Sequence, residues 1–395
     1  MTRTAMNDLP QPDQYALELS QKLSNEIFRI IANAGGQIGF DEYMELALYM
    51  PGLGYYSSGT EKIGEAGDFI TAPEVSALYS RCIARQVAEV IDQLTDKHIL
   101  ELGPGTGALA IEMMLELEQL DSLPDRYYML ETSADLRDRQ QHRISQEVPR
   151  LYERFCWLDT LTDVFLNGVI IGNEVLDALP ICRVRYEKGE FMELAVGTDK
   201  NRFSWCQRTL AIDKQAVCAR WFAEAGTKPI DGYQTEINFI LNAWMNTIST
   251  ALSQGLILLI DYGYPRQEYF HPQRTQGTLL CHYRHHAHPD PFLYPGLQDI
   301  TASVDFTAVA EAAHDAGLQV QGYTTQAHFL INCGIAGLIK QVQSGSPIEQ
   351  LEIAKQARLL TMPGEMGERF KVIALGKNLN SPLMGFRQFD HRHHL

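Results

Sequence analysis

Apolar residues at Leu19, Leu23, Ile27, Ile30 and Ile31 recur at helical spacing and predict a helix over 15–34, closed by Gly35-Gly36. Phe40, Tyr43, Met44, Leu46, Ala47 and Leu48 predict a second, shorter helix. Pro51-Gly52-Leu53-Gly54-Tyr55-Tyr56 reads as a turn rich in aromatics. From residue 98 the pattern changes to short apolar runs separated by helical segments. Strands are predicted at 98–102, 127–131, 155–157, 168–172 and 256–260, with helices over 108–120 and 133–144. Short apolar strands alternating with helices predict a parallel sheet covered on both faces.

A long insertion separates the fourth and fifth of these strands. Residues 183–196 alternate around Glu187-Lys188-Gly189 as a hairpin would, and 235–252 read as a helix. Beyond the fifth strand, a stretch rich in Pro, His and Tyr runs to about residue 302. A helix over 303–316 is then stopped by Gly317. Strands at 318–323 and 370–375 can pair antiparallel, with a helical insertion between them. The expected division is a flexible tail over 1–14, a helical N-terminal region over 15–95 and a Rossmann-like core over 96–182. An insertion follows over 183–254, then completion of the core over 255–376 and a second tail over 377–395. The helix expected over 77–94 is read as core, and His391, His393 and His394 as disordered tail.

Composition narrows the classes of partner. Of 395 residues 45% are hydrophobic and 21% charged, enough to bury a sizeable core. Against 49 acidic residues stand 33 basic ones, a formal net charge of −16. Phosphate binding is driven by Lys and Arg, so a nucleic-acid partner is disfavoured and a cationic protein segment favoured. No apolar run has the length of a membrane span. The N-terminus has neither a signal-peptide apolar core nor the acid-poor character of a transit segment. Seven dispersed Cys without a C-x-x-C pair read as reduced thiols. A cytoplasmic location is the expectation that follows.

The chemistry is concentrated at the predicted strand ends. Strand, Glu101-Leu102-Gly103-Pro104-Gly105-Thr106-Gly107, then helix is a glycine loop in which the backbone turns tightly and approaches a ligand closely. Dinucleotide enzymes, S-adenosylmethionine (SAM) enzymes and plain tight turns all use such loops. Two residues favour SAM. Glu101 places an acid just before Gly103, where it can meet the cationic methionine end. Glu131 ends the second strand, where a carboxylate can accept both ribose hydroxyls of either a dinucleotide or SAM. Asp159, after the third strand, is the candidate acceptor for an adenine amino group, and a surface Asp is the plain alternative.

Asn173-Glu174-Val175-Leu176-Asp177-Ala178-Leu179-Pro180 follows the fourth strand, at the sheet edge where open α/β folds bind ligands. On a helical turn Glu174 and Asp177 would share a face. Two carboxylates there suit a guanidinium, which offers a planar fork of donors. The enzyme's main task would be to align a nitrogen in line with the sulfonium methyl. The same residues also fit a helix start with Asn173 as N-cap.

Several segments together resemble one family, the MidA-like SAM-dependent methyltransferases. They are Phe40-x-x-Tyr43-Met44, Leu48-Tyr49-x-Pro51-x-x-Gly54-Tyr55-Tyr56 and Gly64-x-x-Gly67-Asp68-Phe69-Ile70-Thr71-Ala72-Pro73-Glu74. Further ones are the glycine loop, Asn173-Glu174-x-x-Asp177-x-Leu179-Pro180, Asp261-Tyr262-Gly263, Asp299-Ile300-Thr301-Ala302-x-Val304-Asp305-Phe306 and Met366-Gly367-Glu368-Arg369-Phe370. The likeness runs from about residue 25 to 376. It implies an α/β class I SAM-methyltransferase fold with a helical N-terminal region and insertions after strands four, five and six. It also implies SAM as methyl donor. In the mitochondrial members the acceptor is a protein arginine, on a core subunit of respiratory complex I. Within the family segment, Thr71-x-x-Glu74 fits a capping box with Pro73 in the first turn. The resemblance instead favours a loop closing over the cofactor, with Phe69, Thr71 and Glu74 as cofactor contacts. Rival readings are a different methyl acceptor and a SAM-binding assembly chaperone without catalysis. His282, His285, His286 and His288 have irregular spacing and no Cys nearby, so no metal is expected. The oligomeric state is left open.

Overall fold

The computed structural model describes residues 9–58, 71–162, 164–342, 346–379 and 381–395. The chain divides into two compact units, one of residues 1–69, 177–241 and 264–305, the other of 70–176, 242–263 and 306–395.

The second unit is built on seven strands: β1 His98–Leu102, β2 Arg126–Leu130, β3 Phe155–Leu158, β4 Leu166–Asn173, β5 Leu252–Tyr264, β6 Gln319–Thr325 and β7 Phe370–Lys377. Their spatial order is β6-β7-β5-β4-β1-β2-β3. β1 pairs in parallel with β2 and β4, β2 with β3, and β4 with β5. β7 is antiparallel to both β5 and β6. Val169, Ile171, Leu256, Leu258 and Ile260 join the main core, while the alternate residues Ile170, Ile257 and Leu259 are equally buried. A strand buried on both faces must be apolar at every position, which is why β4 and β5 read as continuous apolar runs. Each such side chain contributes about 1.5–3 kcal/mol by leaving water.

The helices Ala77–Ile91 and Ala108–Gln119 supply much of the rest of this core through Leu78, Tyr79, Ile83, Val87, Ile111, Met114 and Leu117. Two ion pairs tie them together, Arg81–Glu112 at 3.0 Å and Arg85–Glu116 at 2.8 Å. Between β6 and β7 lie the helices Gln326–Asn332, Ile335–Val342, Pro347–Thr361 and Met366–Arg369, as the helical insertion required.

In the other unit, the helices Gln14–Asn33 and Phe40–Tyr49 bury Leu23, Ile27, Ile31, Phe40, Tyr43, Met44 and Leu48 in a core shared with Val196 and Ile300. Asp13 caps the first helix by accepting from the Ala16 N–H at 2.8 Å. Strands Cys182–Glu187 and Glu190–Asp199 form the expected hairpin about 187–190. They belong to a sheet with Gln37–Ile38, Arg202–Thr209 and Gln234–Ile237. Leu280–Tyr283 is the centre of a separate three-stranded sheet between His286–His288 and Asp299–Thr301.

Four expectations change. The N-terminal region over 15–95 is not one piece: the division falls at 69/70, and the helix Ala77–Ile91 belongs with the sheet whose core it fills. The segment 235–252 is not one helix, because Gln234–Ile237 pairs with Cys182–Glu187 and only Leu241–Ala251 is helical. The stretch 377–395 is not a loose tail. Leu379, Leu383 and Phe386 are buried, the His391 N–H donates to the Tyr323 carbonyl at 2.6 Å, and Phe389 stacks on His328 at 4.2 Å. At the other end Leu9 and Pro12 are buried, so the described part of 1–14 is held as well. In both terminal segments isolated apolar residues find partners far along the chain, which local periodicity does not register.

Candidate active site

β1 ends in the glycine loop. Gly103, Gly105 and Gly107 all have left-handed backbone (φ +60°, +55° and +81°), a region L side chains rarely enter. The Gly103 N–H donates to the Leu130 carbonyl at 3.2 Å, which ties the loop to the end of β2. Gly107 is the N-cap of the helix Ala108–Gln119.

Glu101 and Glu131 flank this loop, and both are buried. The Tyr127 hydroxyl donates to Glu101 at 2.7 Å. Burial pushes the Glu101 carboxyl up to about 7; the Tyr127 hydrogen bond opposes that rise and the charge of Glu131 adds to it. Glu131 accepts from the Ser133 N–H at 2.8 Å and from the Gln140 amide at 3.1 Å. Burial raises its carboxyl too, against the pull of those bonds and of Arg137. A cationic amine near Glu101 would favour the ionised form that burial disfavours. Hydroxyls near Glu131 would find an acceptor already fixed in place. These residues fit a cofactor with a cationic amino-acid end and a ribose diol.

The structure rearranges other expected contacts. Phe69 lies outside the described residues. Thr71 is the N-cap of the short helix Ala72–Val75 without a side-chain bond, so the capping box is not made. Glu74 instead accepts from the Thr106 hydroxyl in the glycine loop and pairs with Arg143 at 3.3 Å. Arg143 also donates to Thr106 at 3.0 Å. Asp159 is exposed and pairs with Arg137 at 2.6 Å, the arrangement of a surface Asp.

No helix follows β4. Asn173 is the last residue of the strand, and the chain from Glu174 to Leu179 only bends and turns. Neither the N-cap role of Asn173 nor the shared helical face of Glu174 and Asp177 survives. The Tyr79 hydroxyl donates to the Asn173 amide oxygen, and the Asn173 amide donates to Glu174 at 3.2 Å. Glu174 has φ +54°, and its N–H donates to the Ile260 carbonyl at 2.8 Å. Burial, then the charges of Glu174 and Asp261, hold Tyr79 well above its ordinary value, so it stays a neutral donor. Asp177 is buried in the other unit, where burial and the charges of Asp299, Asp177 and Glu45 raise Tyr49 well above its usual range.

The sequence reading assigned no role to Asp261, Thr106, Tyr79, Tyr127, Gln140 or Arg143. Asp261 is fully buried and accepts from the N–H groups of Leu176 and Tyr262, both at 2.9 Å. Its place at the end of the fifth strand was the available signal, as was the place of Thr106 inside the glycine motif. Gln140 and Arg143 lie on a polar helix and carry none.

Seven strands in this order, with a glycine loop after β1 and an acid at the end of β2, define a Rossmann-like transferase of the class I methyltransferase type. Comparison with known proteins gives the particular family. Residues 82–324 match the family model described as S-adenosyl-L-methionine-dependent methyltransferase. A Burkholderia thailandensis protein solved with S-adenosyl-homocysteine bound is 40% identical, with a TM-score of 0.94 over 98% of this chain and 100% of that one. The chain belongs to this family of SAM-dependent methyltransferases. Among curated proteins, it is 26% identical to the Caenorhabditis elegans protein arginine methyltransferase NDUFAF7 homolog, mitochondrial, over 92% of this chain and 89% of the relative. It is 24% identical to the Danio rerio protein arginine methyltransferase NDUFAF7, mitochondrial, over 90% and 88%.

These names overturn the cytoplasmic expectation, since the curated relatives are mitochondrial proteins. That expectation rested on the composition of the first residues and on dispersed Cys, neither of which fixes a compartment. Among the described residues, no helix is long and apolar enough to cross a membrane.

Proposed function

We propose that the chain transfers the methyl group of SAM to a side-chain nitrogen of an arginine in a protein substrate, with Glu174 as the carboxylate that meets the guanidinium. The observation that carries this reading is the backbone of Glu174. A non-glycine residue at φ +54° costs on the order of 1–2 kcal/mol, and glycine would avoid that cost. Such strain is found at functional sites, and here it falls on an acid at the carboxyl end of β4. The Ile260 carbonyl and the Asn173 amide hold Glu174 in place.

When bound, SAM supplies a methyl carbon on a cationic sulfur, and that bond breaks as the bond to nitrogen forms. Glu174 accepts hydrogen bonds from the guanidinium, orients one nitrogen and stabilises the positive charge, and the proton that the methylated nitrogen loses passes to solvent water. Glu101 takes the amine end of the cofactor and Glu131 its ribose hydroxyls, with Gly103, Gly105 and Gly107 against the backbone. Phe69, Thr71, Glu74, Asp159 and Asn173 remain weaker candidates, and Asp177 is the second candidate acid. The net charge of −16 suits a cationic substrate segment, and the curated relatives are named protein arginine methyltransferases. A complex I subunit, which the resemblance implies for mitochondrial members, is the first substrate to try.

The test is incubation of the purified protein with methyl-labelled SAM and an extract of its source, then mass spectrometry of labelled proteins. Label on arginine that disappears in Glu174→Gln, with cofactor binding kept, is the expected result. Full turnover in Glu174→Gln would sink the assignment of Glu174. Cofactor binding with no labelled protein would shift the reading to another acceptor or to a chaperone.

A further inference from the structure

Gln140 lies on the helix Ala134–Glu147 and is fully buried. Its amide nitrogen donates to the Gly105 carbonyl at 2.8 Å and to Glu131 at 3.1 Å. Its amide oxygen accepts from the Trp157 indole N–H at 2.9 Å. A flipped amide would set nitrogen against the indole N–H and oxygen against a carbonyl and a carboxylate, so the three partners specify one orientation. They come from the glycine loop, the end of β2 and β3. The Gln140 side chain also packs beneath Gly107, where an added Cβ would lie 3.7 Å from its Cγ.

We infer that Gln140 is a positioning residue for the cofactor ribose, holding the Glu131 carboxylate and the Gly105 backbone in the relation that accepts the ribose hydroxyls. It acts through Glu131 and touches no ligand itself. The inference therefore rests on Glu131 as the ribose acceptor. A buried glutamine with only a packing role would need no charged partner. Here one of its two donated hydrogens goes to a carboxylate that a ligand also needs. That hydrogen bond favours the ionised form of Glu131 against the effect of burial.

The full chain is titrated calorimetrically with S-adenosyl-homocysteine and with its 2′-deoxyribose analogue. The unaltered protein should prefer the ribose ligand by about tenfold, the worth of a hydrogen bond to a charged acceptor. Gln140→Met keeps the length and removes all three bonds. Gln140→Glu keeps the shape and the indole partner but loses the two amide donors, retains at most one O–H when protonated, and sets a second carboxyl against Glu131. Both should lose about tenfold in affinity for the ribose ligand and much less for the analogue, so that the preference collapses. The acid-side decline of binding should also begin at higher pH in Gln140→Met, because Glu131 then protonates more readily. Equal losses for both ligands with an unmoved pH profile would reduce Gln140 to packing and overturn the inference. Glu131→Gln separates the two readings. If it leaves the ribose preference intact, Glu131 is not the ribose acceptor and the inference falls with it. If it abolishes the preference while both Gln140 variants keep it, Glu131 stands and Gln140 alone fails. Should Gln140→Met fold poorly, Gln140→Glu decides.

Discussion

Replacing Glu101 with Gln should make the SAM-free protein more stable at alkaline pH while weakening its hold on the cofactor. Burial lifts the Glu101 carboxyl from 4.5 to about 7 in the folded protein. Below the lower value both folded and unfolded chains are protonated, and this residue's contribution is fully present. Between the two values the unfolded chain ionises first, so stability falls as pH rises by about 1.4 kcal/mol per unit. Above the folded value the loss levels off at about 3 kcal/mol, taking about 1.4 kcal/mol for each pH unit of the shift. Gln keeps the volume and can still accept from Tyr127, but it has no charge to desolvate. The stability difference between Glu101→Gln and the unaltered chain should therefore grow by about 2–3 kcal/mol from pH 5 to pH 8. Urea unfolding at both pH values, followed by fluorescence, measures it. Calorimetry of S-adenosyl-homocysteine binding near pH 6 should show proton release by the unaltered chain, as the ligand's ammonium favours ionised Glu101, and none of that release by the variant. Parallel stability curves for the two proteins would show that Glu101 is not held up by burial, and the reasoning would fail.

Two further substitutions probe the sheet beneath the site. Asp261→Asn leaves one oxygen for two backbone N–H donors and turns an NH2 toward the other; a stability loss of about 1–3 kcal/mol is expected, read as a lower urea midpoint, and a change under about 0.5 kcal/mol would refute the role given to Asp261. Gly168→Ala puts a Cβ 1.8 Å from the His98 carbonyl oxygen, a backbone atom that cannot move aside, so loss of soluble protein is expected, whereas Gly189→Ala in the open hairpin turn should cost only about 1 kcal/mol; similar soluble yields would refute the contrast.

The sheet was legible because its signal is local and repeated. Apolar runs such as Ile257 to Ile260 must be apolar at every position once both faces are covered, and the glycine loop needs left-handed backbone at three marked places. Glu101 and Glu131 were legible for the same reason, as acids that end apolar strands. What failed was context of longer range. Thr235-Glu236-Ile237 carries no mark that separates a strand from a helix start, and its pairing partner lies some fifty residues back at Cys182–Glu187. The acidic segment after β4 looked helical because Asn173 and Glu174 suit a helix start, yet the Glu174 N–H is already given to Ile260 on β5. Glu74 looked like part of a cap, but its carboxylate is taken by Thr106 and Arg143. Each miss is a side chain or backbone group whose partner is distant in sequence and outweighs a local preference.

Glu101, Glu131 and Asp261 differ from two other buried acids in how they are held. Glu116 and Glu193 are also buried, but each sits against a guanidinium, Arg85 at 2.8 Å and Arg208 at 2.6 Å, and those pairs fasten elements together. A tyrosine hydroxyl donates to Glu101, a glutamine amide and a backbone N–H to Glu131, and two backbone N–H groups to Asp261, while the charge of Arg137 also acts on Glu131. Glu174 adds strained backbone in the same row of strand ends. Neutral donors fix the position of a carboxylate while leaving most of its charge unspent, which a salt bridge would not. Burial of the Glu101 carboxyl and the left-handed backbone of Glu174 are departures from folding preference along this edge of the sheet. A cationic end on the ligand relieves the cost of burying Glu101, as the ammonium of the SAM cofactor would.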